Sequence, residues 1–161
     1  MKIRDVKATD YPQILEIYNY YIINTTINFE QDPITILQLS KKIDNIKLKY
    51  PFIVLEENNQ IIGYAYLSTF NSRSSYDITA DLAIYLKPKI KSNGYGTLLL
   101  KEIENLAKKK NIKNIISIIT EENENSINFH KKHGFKEVGA LSKVGYKFNR
   151  LLSIYYYQKT L

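Results

Sequence analysis

The sequence contains no cysteine, and this absence excludes several kinds of chemistry. The chain can form no disulfide, no thiolate metal site and no cysteine nucleophile. It contains only two histidines, so we also expect no metal site. A chain without cysteine suits a reducing compartment, which favours a cytoplasmic protein.

Long apolar runs are absent as well. No stretch approaches the roughly 18 consecutive apolar residues that a membrane-spanning helix requires. The first five residues, MKIRD, lack the apolar block of a secretory signal peptide. We therefore expect no membrane partner, and again a location in the cytoplasm.

Arginine is scarce in a chain whose formal net charge is +7. Arg4, Arg73 and Arg150 are the only arginines, so lysine supplies most of the positive charge. Because proteins that read nucleic acids favour arginine for bidentate contacts, we expect no nucleic-acid partner. The three lysines at 108–110 leave open a non-enzymatic module that binds RNA or an acidic protein, although they would equally stabilise the end of a helix.

The sequence does contain a regular succession of strand and helix patterns over 161 residues, the length of one domain. Alternating or β-branched apolar segments predict strands, and apolar residues three or four positions apart predict helices. The resulting order, β-α-α-β-β-β-α-β-α-β-β, is typical of one mixed sheet with helices on its faces, in the α/β (α+β) class. Strands are predicted at 2–6, 52–56, 61–68, 78–86, 112–119, 135–141 and 152–160, and helices at 9–24 (with Thr9 as the cap), 33–49, 97–110 and 126–133.

Asn93 and Gly94 form the strongest short signal for a β-hairpin. A hairpin needs a second strand, but the apolar residues from Leu99 onward repeat every three or four positions, which predicts a helix. The segment is therefore a strand, a loop with Gly94 and Gly96, and a helix, an arrangement whose free N–H groups favour an anion. No Walker sequence is present, and Leu99 stands where a dinucleotide fingerprint needs its third glycine.

The spacing Lys91-x-x-Gly94-x-Gly96 resembles the Gln/Arg-x-x-Gly-x-Gly/Ala loop that holds the pyrophosphate of coenzyme A in the GNAT N-acetyltransferase superfamily. A later segment, in which Asn123 opens a helix that ends in Gly-Phe, is also similar to that superfamily. Within it, the likeness narrows to the phosphinothricin acetyltransferase-like subgroup. Three further segments carry this narrower likeness: TTINF with a following proline at 25–33, RSSYDITAD at 73–81 and VGYKF at 144–148.

The resemblance implies a single GNAT domain over residues 1–161, with one mixed, largely antiparallel sheet flanked by helices and with splayed central strands. It implies an acetyl-CoA-dependent N-acetyltransferase in which the primary amine of a small amino acid or analogue attacks the thioester directly. Phosphinothricin, methionine sulfoximine and methionine sulfone are the acceptors of this type. Protein or peptide N-termini, and polyamine- or aminoglycoside-type amines, remain alternatives. The family also leads us to expect a homodimer formed through the later strands.

The same resemblance assigns residues to the cofactor acetyl-CoA. The main chain of Ile84, Tyr85 and Leu86 would bind its pantetheine, and Asn123 would contact it unless it serves only as a helix cap. Lys91 and Ser92 depart from the family, which usually has Gln or Arg and often Gly at these positions. The full set assigned to coenzyme A is Ile84, Tyr85, Leu86, Lys91, Ser92, Asn93, Gly94, Tyr95, Gly96, Thr97, Asn123 and Ser126.

Two residues are expected to carry the chemistry. Asp81 stands where the subgroup has a glutamate that is the proposed base, and its shorter side chain leads us to expect proton removal through a water molecule. His130 occupies the position of a tyrosine acid in many GNAT enzymes, so its imidazole could relay the amine proton or protonate the leaving thiolate. A structural role in its short helix remains an equal alternative for His130.

For the acceptor, the resemblance implies Phe29, Arg73, Tyr76 and Tyr146. Arg73 would bind a carboxylate or phosphinate, whereas Phe29 and Tyr76 could equally belong to the core. Tyr146 and the following lysine are expected in a loop near the active site. Ser153 stands where the family usually has an acid, so this wall of the pocket departs from the family pattern.

Overall fold

The computed structural model of the protein describes residues 1–90 and 93–161. Within them, seven strands and four α-helices follow one another in the order β-α-α-β-β-β-α-β-α-β-β, which confirms the predicted order. The strands are β1 (Lys2–Asp5), β2 (Phe52–Glu57), β3 (Gln60–Thr69), β4 (Thr79–Leu86), β5 (Asn114–Thr120), β6 (Lys136–Lys147) and β7 (Arg150–Thr160). The helices are α1 (Tyr11–Asn24), α2 (Ile36–Lys47), α3 (Tyr95–Lys109) and α4 (Glu124–Lys132), with short 3-10 turns at Ala8–Asp10 and Ser74–Tyr76.

All seven strands belong to one sheet, in the order β1-β2-β3-β4-β5-β7-β6. The neighbouring strands β4 and β5 are parallel, and every other neighbouring pair is antiparallel. A parallel pair needs a long crossover connection, which α3 supplies between β4 and β5. The prediction of one mixed, largely antiparallel sheet is therefore confirmed.

Helices cover the two faces of this sheet because each carries an apolar stripe at helical spacing. On one face, α3 buries Leu99, Leu100 and Ile103 against the central strands. On the other face, α1 and α2 bury Ile14 and Ile43 against a layer of aromatic rings on β2, β3 and β4. Full burial of each such side chain stabilises the fold by about 1.5–3 kcal/mol, so the two helical layers hold the sheet firmly between them.

The sheet splits between its central strands, as the resemblance implied. The pairing of β4 with β5 ends where Asp81 lies opposite Ile116. On its other side, β4 stays paired with β3 as far as Leu86, while β5 continues along β7 as far as Thr120. Past Asp81, one edge of β4 is therefore open, and the strands form a fork.

The start of α1 differs from the prediction. Thr9 is not its cap, because the chain first forms the 3-10 turn Ala8–Asp10 and Asp10 occupies the capping position. The Asp10 carboxylate accepts hydrogen bonds from the Arg4 guanidinium at 2.7 and 2.8 Å and from the Lys7 N–H at 2.8 Å. These bonds anchor the turn to β1, which moves the start of α1 to Tyr11.

The length of β6 also differs from the prediction. This strand continues to Lys147, so Tyr146 and Lys147 lie in a strand and not in the expected loop. The chain then turns at Phe148 and Asn149, whose φ angles of 51° and 63° lie in the left-handed region. A tight hairpin turn of this kind usually contains glycine, and the absence of glycine here explains why no turn was predicted at these residues.

Candidate active site

Asp81 lies at the point where β4 and β5 part. Its Oδ1 atom is buried and has no hydrogen-bond partner among the described residues. Burial disfavours the charged carboxylate and raises the pKa of Asp81 to about 6. The group is therefore ionised above that pH, and its raised pKa makes the carboxylate a stronger base than an ordinary surface carboxylate, as a general base requires.

A cavity lies between the two branches of the fork, and Asp81 of β4 lines it. We call it the fork cavity. Strand β3 contributes Tyr66, β5 contributes Ser117 and Thr120, and α4 with its cap contributes residues from the opposite side. Its main polar lining consists of Tyr66, Ser68, Asp81, Ser117, Thr120, Asn123, Ser126 and His130.

His130 faces the same cavity from α4 and is 7% exposed. Its Nδ1 atom lies 2.7 Å from the main-chain oxygen of Ser126. Because a carbonyl oxygen can only accept, Nδ1 carries the proton, and Nε2 is left with a lone pair. Burial also lowers the pKa of His130 below its ordinary value. At neutral pH, the imidazole is therefore uncharged and able to accept a proton.

A groove leads from the fork cavity along the open edge of β4. The Leu86 oxygen at the end of this edge accepts a hydrogen bond from the Tyr21 hydroxyl at 2.9 Å. Peptide groups of alternate residues point to the same edge of a strand, so the N–H and C=O of Ile84 face the groove. Together with Tyr85, these residues line the groove. An extended ligand that carries amides could add to this edge.

The far end of the groove meets the start of α3. Gly94 caps this helix with φ at +78°, a conformation that suits glycine. The N–H groups of the first turn, Tyr95, Gly96 and Thr97, have no partner within the helix and can bind an anion. A Cβ atom at Gly96 would lie 3.2 Å from the Phe129 ring, so this glycine allows α3 to pack closely against α4.

The remaining predicted cofactor residues divide into two sets. Asn93 is exposed beside Gly94, and its amide lies 3.3 Å from the Tyr95 hydroxyl. Lys91 and Ser92 lie outside the described residues. At the start of α4, Asn123 accepts the Ser126 N–H at 3.2 Å, so it is the helix cap, and both residues also line the groove.

A second cavity adjoins the fork cavity on the side of α1 and α2. We call it the tyrosine lobe, because Tyr18, Tyr66 and Tyr85 line it. Phe29, which the resemblance assigned to the acceptor, lines this lobe, and the Phe29 ring packs directly against Gly145 of β6. The other lining residues are Ile27, Asn28, Lys42, Ile118, Thr120 and Ile154.

Three predicted acceptor residues lie outside this lobe. Arg73 is exposed just before a 3-10 turn, and Tyr76 within that turn packs edge-on against Phe70. Neither residue lines the fork cavity, the groove or the tyrosine lobe in the described structure. Tyr146 is 57% exposed on β6, and its main-chain oxygen accepts the Gln31 side-chain amide at 2.6 Å.

The sequence placed Lys147 in a loop near the active site but did not predict the contact that it makes there. Lys147 is 2% exposed and donates its ammonium to the Asn28 oxygen at 2.6 Å. Burial lowers the pKa of this ammonium, and no carboxylate lies within 4 Å of it among the described residues. Lys42 and Tyr18 were missed, because only tertiary packing brings α1 and α2 to the fork.

A network of polar contacts holds the loop between α1 and α2 over the cavities. The Thr26 hydroxyl donates to the Glu122 carboxylate, which also receives two hydrogen bonds of 2.7 Å from Arg150. The Thr120 hydroxyl donates to the Thr26 oxygen at 2.6 Å. These contacts join the loop, the end of β5 and the β6–β7 hairpin.

The described residues form neither a metal-binding cluster nor a membrane-spanning helix. No three side chains of His, Cys, Asp or Glu come together there in a way that could hold a metal ion. In the same ranges, 1–90 and 93–161, no helix is both long enough and apolar enough to cross a membrane.

Comparison with known proteins identifies the family of this chain. An L-methionine sulfoximine/L-methionine sulfone acetyltransferase from Pseudomonas aeruginosa is 27% identical over 99% of this chain and 94% of its own. A phosphinothricin acetyltransferase from Sinorhizobium meliloti, solved with acetyl-CoA, is 30% identical, with a TM-score of 0.94 over 99% of this chain and 88% of its own. A ribosomal-protein-alanine N-acetyltransferase from Brucella melitensis is 29% identical, with a TM-score of 0.97 over the full length of both chains. Residues 3–153 match the acetyltransferase (GNAT) domain, and the chain therefore belongs to the GNAT acetyltransferase family.

Proposed function

We propose that this protein is an acetyl-CoA-dependent N-acetyltransferase whose acceptor is the primary amine of a small amino acid or analogue. One observation carries the proposal. The Asp81 carboxylate, with an unpartnered buried oxygen, and the uncharged His130 imidazole line one cavity at the inner end of a cofactor-sized groove. Because the chain belongs to an enzyme family, we set aside the alternative of a non-enzymatic module that binds RNA or an acidic protein. The lysines at 108–110 lie at the C-terminal end of α3, where their charge stabilises the helix.

The chemistry of the groove suits acetyl-CoA. The main chain of Ile84 and its neighbours on β4 would bind the amides of the pantetheine arm. The first turn of α3, with Gly94 before it, would bind the pyrophosphate through free N–H groups. Asn123 and Ser126 would flank the arm near the fork. The Sinorhizobium relative solved with acetyl-CoA supports this assignment.

Acetyl-CoA supplies an activated acetyl group as a thioester. The acceptor must lose a proton before its nitrogen can attack, and we assign this step to Asp81 acting through a water molecule. The nitrogen then forms a bond to the acetyl carbon, the carbon–sulfur bond breaks, and coenzyme A leaves as the thiolate. Asp81 ends this step protonated and passes that proton to solvent. The nitrogen gives up its second proton to His130 as the amide forms, and His130 can pass that proton to the thiolate.

His130 is proposed to take part as a proton relay. Its Nδ1–H bond to Ser126 fixes the tautomer, and Nε2 is the atom that can accept a proton from the amine or its water. In this tautomer, the uncharged ring cannot act first as an acid. It could protonate the thiolate only after it has taken up the amine proton, so the two roles become consecutive steps.

The nature of the acceptor is supported by the names of the relatives. The Pseudomonas protein is named for methionine sulfoximine and methionine sulfone, and the Sinorhizobium protein for phosphinothricin. All three compounds are small amino acids with a polar sulfur or phosphorus group. Phe29 is proposed to contact the acceptor in the tyrosine lobe. Arg73, Tyr76 and Tyr146 remain predictions of the resemblance for the same role.

A second acceptor class has specific support. The Brucella relative, which matches the whole chain with a TM-score of 0.97, is named for the alanine terminus of a ribosomal protein. A peptide acceptor would need an open approach to the fork, and the exposure of Arg73 leaves that side without a closing side chain. A peptide with an N-terminal alanine therefore belongs in the set of acceptors to test.

We also propose that the protein forms a homodimer in the cytoplasm. Strand β6 is at the edge of the sheet, and its hairpin with β7 exposes Val144, Tyr146, Phe148 and Leu151 by 51–57% each. Exposed apolar side chains on an edge strand favour a protein partner. A second copy of the chain bound at this strand would form the homodimer that the family resemblance leads us to expect.

The proposal is tested by release of free thiol from acetyl-CoA in the presence of candidate amines. The panel contains phosphinothricin, methionine sulfoximine, methionine sulfone, an N-terminal alanine peptide, spermidine and an aminoglycoside. We expect turnover with at least one amino acid analogue, and heat of binding for acetyl-CoA in calorimetry. No binding of acetyl-CoA at millimolar concentration would contradict the proposal.

A further inference from the structure

Lys42 is the only charged residue among those that line the tyrosine lobe. It projects from α2, and its ammonium lies 2.9 Å from the Tyr18 hydroxyl. The same ammonium is 4.9 Å from the centre of the Tyr18 ring, so the aromatic side chain holds it from one side. The position of this charge is therefore set by packing between α1 and α2.

The charge of Lys42 is not neutralised within the described part of the chain. No carboxylate there lies within 4 Å of it, whereas the ammonium groups of Lys49 and Lys159 each lie 2.6 Å from one. An ammonium has three donors, and the Tyr18 hydroxyl is a neutral partner for one of them. A partly buried cation beside aromatic walls attracts an anion more strongly than a surface lysine does.

The tyrosine lobe continues into the fork cavity. Tyr66, Tyr85 and Thr120 line both spaces, so a ligand with one end at Asp81 can extend past Tyr66 toward Lys42. The negative charge at one end and the positive charge at the other suit a zwitterion. An amino acid whose amine lies near Asp81 would turn an anionic group toward Lys42.

We propose that Lys42 binds the carboxylate of the amine acceptor and that Tyr18 positions Lys42 for this contact. The inference rests on the proposed acetyl transfer to an amino acid. It assigns the anion to α2, where Lys42 lines the lobe, and not to the exposed Arg73. Lys42 then selects acceptors that carry a negative charge, because an acceptor without an anionic group leaves the Lys42 ammonium without an anionic partner.

The test compares L-methionine sulfone with its carboxamide, which has nearly the same shape and no negative charge. In Lys42→Met, we expect KM for the sulfone to rise about 10-fold or more, the size of a charge-assisted hydrogen bond, with kcat changed less than about 3-fold. KM for the carboxamide should be the same in the variant and the wild type. Lys42→Arg should retain most of the preference for the sulfone.

Two further variants complete the comparison. Lys41 is exposed next to Lys42 on α2 and does not line the lobe in the described structure, so Lys41→Met should leave both KM values unchanged. Arg73→Met tests the alternative that the resemblance implies, in which Arg73 binds the anionic group of the acceptor. The proposal would be overturned if the difference between the KM values for the sulfone and the carboxamide disappeared in Arg73→Met and persisted in Lys42→Met. An equal rise in KM for both acceptors in Lys42→Met would also overturn the proposal.

A binding measurement separates failure of this inference from failure of the proposed function. L-Methionine sulfone is titrated calorimetrically into the protein saturated with coenzyme A. Binding that Lys42→Met weakens about 10-fold or more supports the site even if no acetyl group is transferred, which would contradict only the proposed reaction. Equal binding to the two proteins, or no binding to the wild type, overturns the assignment of Lys42.

Discussion

Lys147 donates its ammonium to the main-chain oxygen of Asn28 at 2.6 Å, and this bond ties the end of β6 to the loop that carries Phe29. The two residues are 119 positions apart in the sequence. Because Phe29 lines the tyrosine lobe, the order of that loop bears on how the acceptor is held.

Lys147→Met should weaken binding of the acceptor more than it weakens the fold. The variant loses the hydrogen bond to Asn28, but it also removes a buried cation, so we expect the free energy of unfolding to change by only about 1 kcal/mol. KM for the acceptor should rise about 5-fold or more as the loop loses its tie. Steady-state kinetics with thermal unfolding would check this. The matched control is Lys143→Met, an exposed lysine of the same strand.

Gly145→Ala should disturb the acceptor side of the site. An added Cβ atom would overlap the Phe29 ring, so the ring must move away from β6 and change the wall of the tyrosine lobe. We expect kcat/KM for the acceptor to fall about 10-fold and KM for acetyl-CoA to stay unchanged. Gly139→Ala on the same strand is the control, because a Cβ atom there meets nothing within 4 Å. Equal effects of the two substitutions would refute the contact.

The dependence of kcat on pH should follow the ionisation of Asp81. Its pKa is raised to about 6, and only the ionised form can accept a proton, so kcat should be lost as the pH falls through about 6. His130→Asn should lower kcat but keep this limb of the profile. A limb that disappears in His130→Asn would show that the imidazole, and not the carboxylate, controls the profile.

Asp81→Asn should stabilise the folded protein at neutral pH. Between the unfolded pKa of 3.8 and the folded value of about 6, folding takes up a proton, so the burial of Asp81 lowers stability as the pH rises through this window. Above pH 6, the full penalty is present. Because the side chain is partly exposed, we expect a gain of only about 1 kcal/mol in Asp81→Asn at pH 7.5.

Urea unfolding of Asp81→Asn and the wild type at pH 7.5 and pH 4 would measure this gain. At pH 4, the folded carboxyl is protonated and uncharged, so the two proteins should differ little. A variant that is less stable than the wild type at pH 7.5 would contradict the account of Asp81 as a strained, unpartnered carboxylate.

The order of the elements could be predicted from the sequence because its signals are local. Two residues of the candidate site could be named only from the family resemblance. Strand and helix periodicities are properties of short segments, so the order could be read directly. Asp81 and His130 were identified by resemblance, and the structure brings both to the fork cavity. Their roles in catalysis remain proposals.

The parts that the sequence did not predict depend on contacts between distant segments. Lys42 looks like an ordinary surface lysine in the sequence, and only the packing of α2 brings it to the tyrosine lobe. Lys147 was expected near the active site, but its burial and its bond to Asn28 depend on how β6 packs against the loop after α1. The length of β6 was missed because its side chains are almost all exposed and its turn lacks glycine.

The most direct test of the account is the turnover of Asp81→Asn at pH 7.5, measured together with its affinity for acetyl-CoA. We predict that kcat falls about 100-fold or more, the size of a positioned general base, while the affinity for acetyl-CoA stays within about 2-fold of the wild type. A variant that binds acetyl-CoA normally and turns over at the wild-type rate would contradict the central claim that Asp81 removes the proton of the amine.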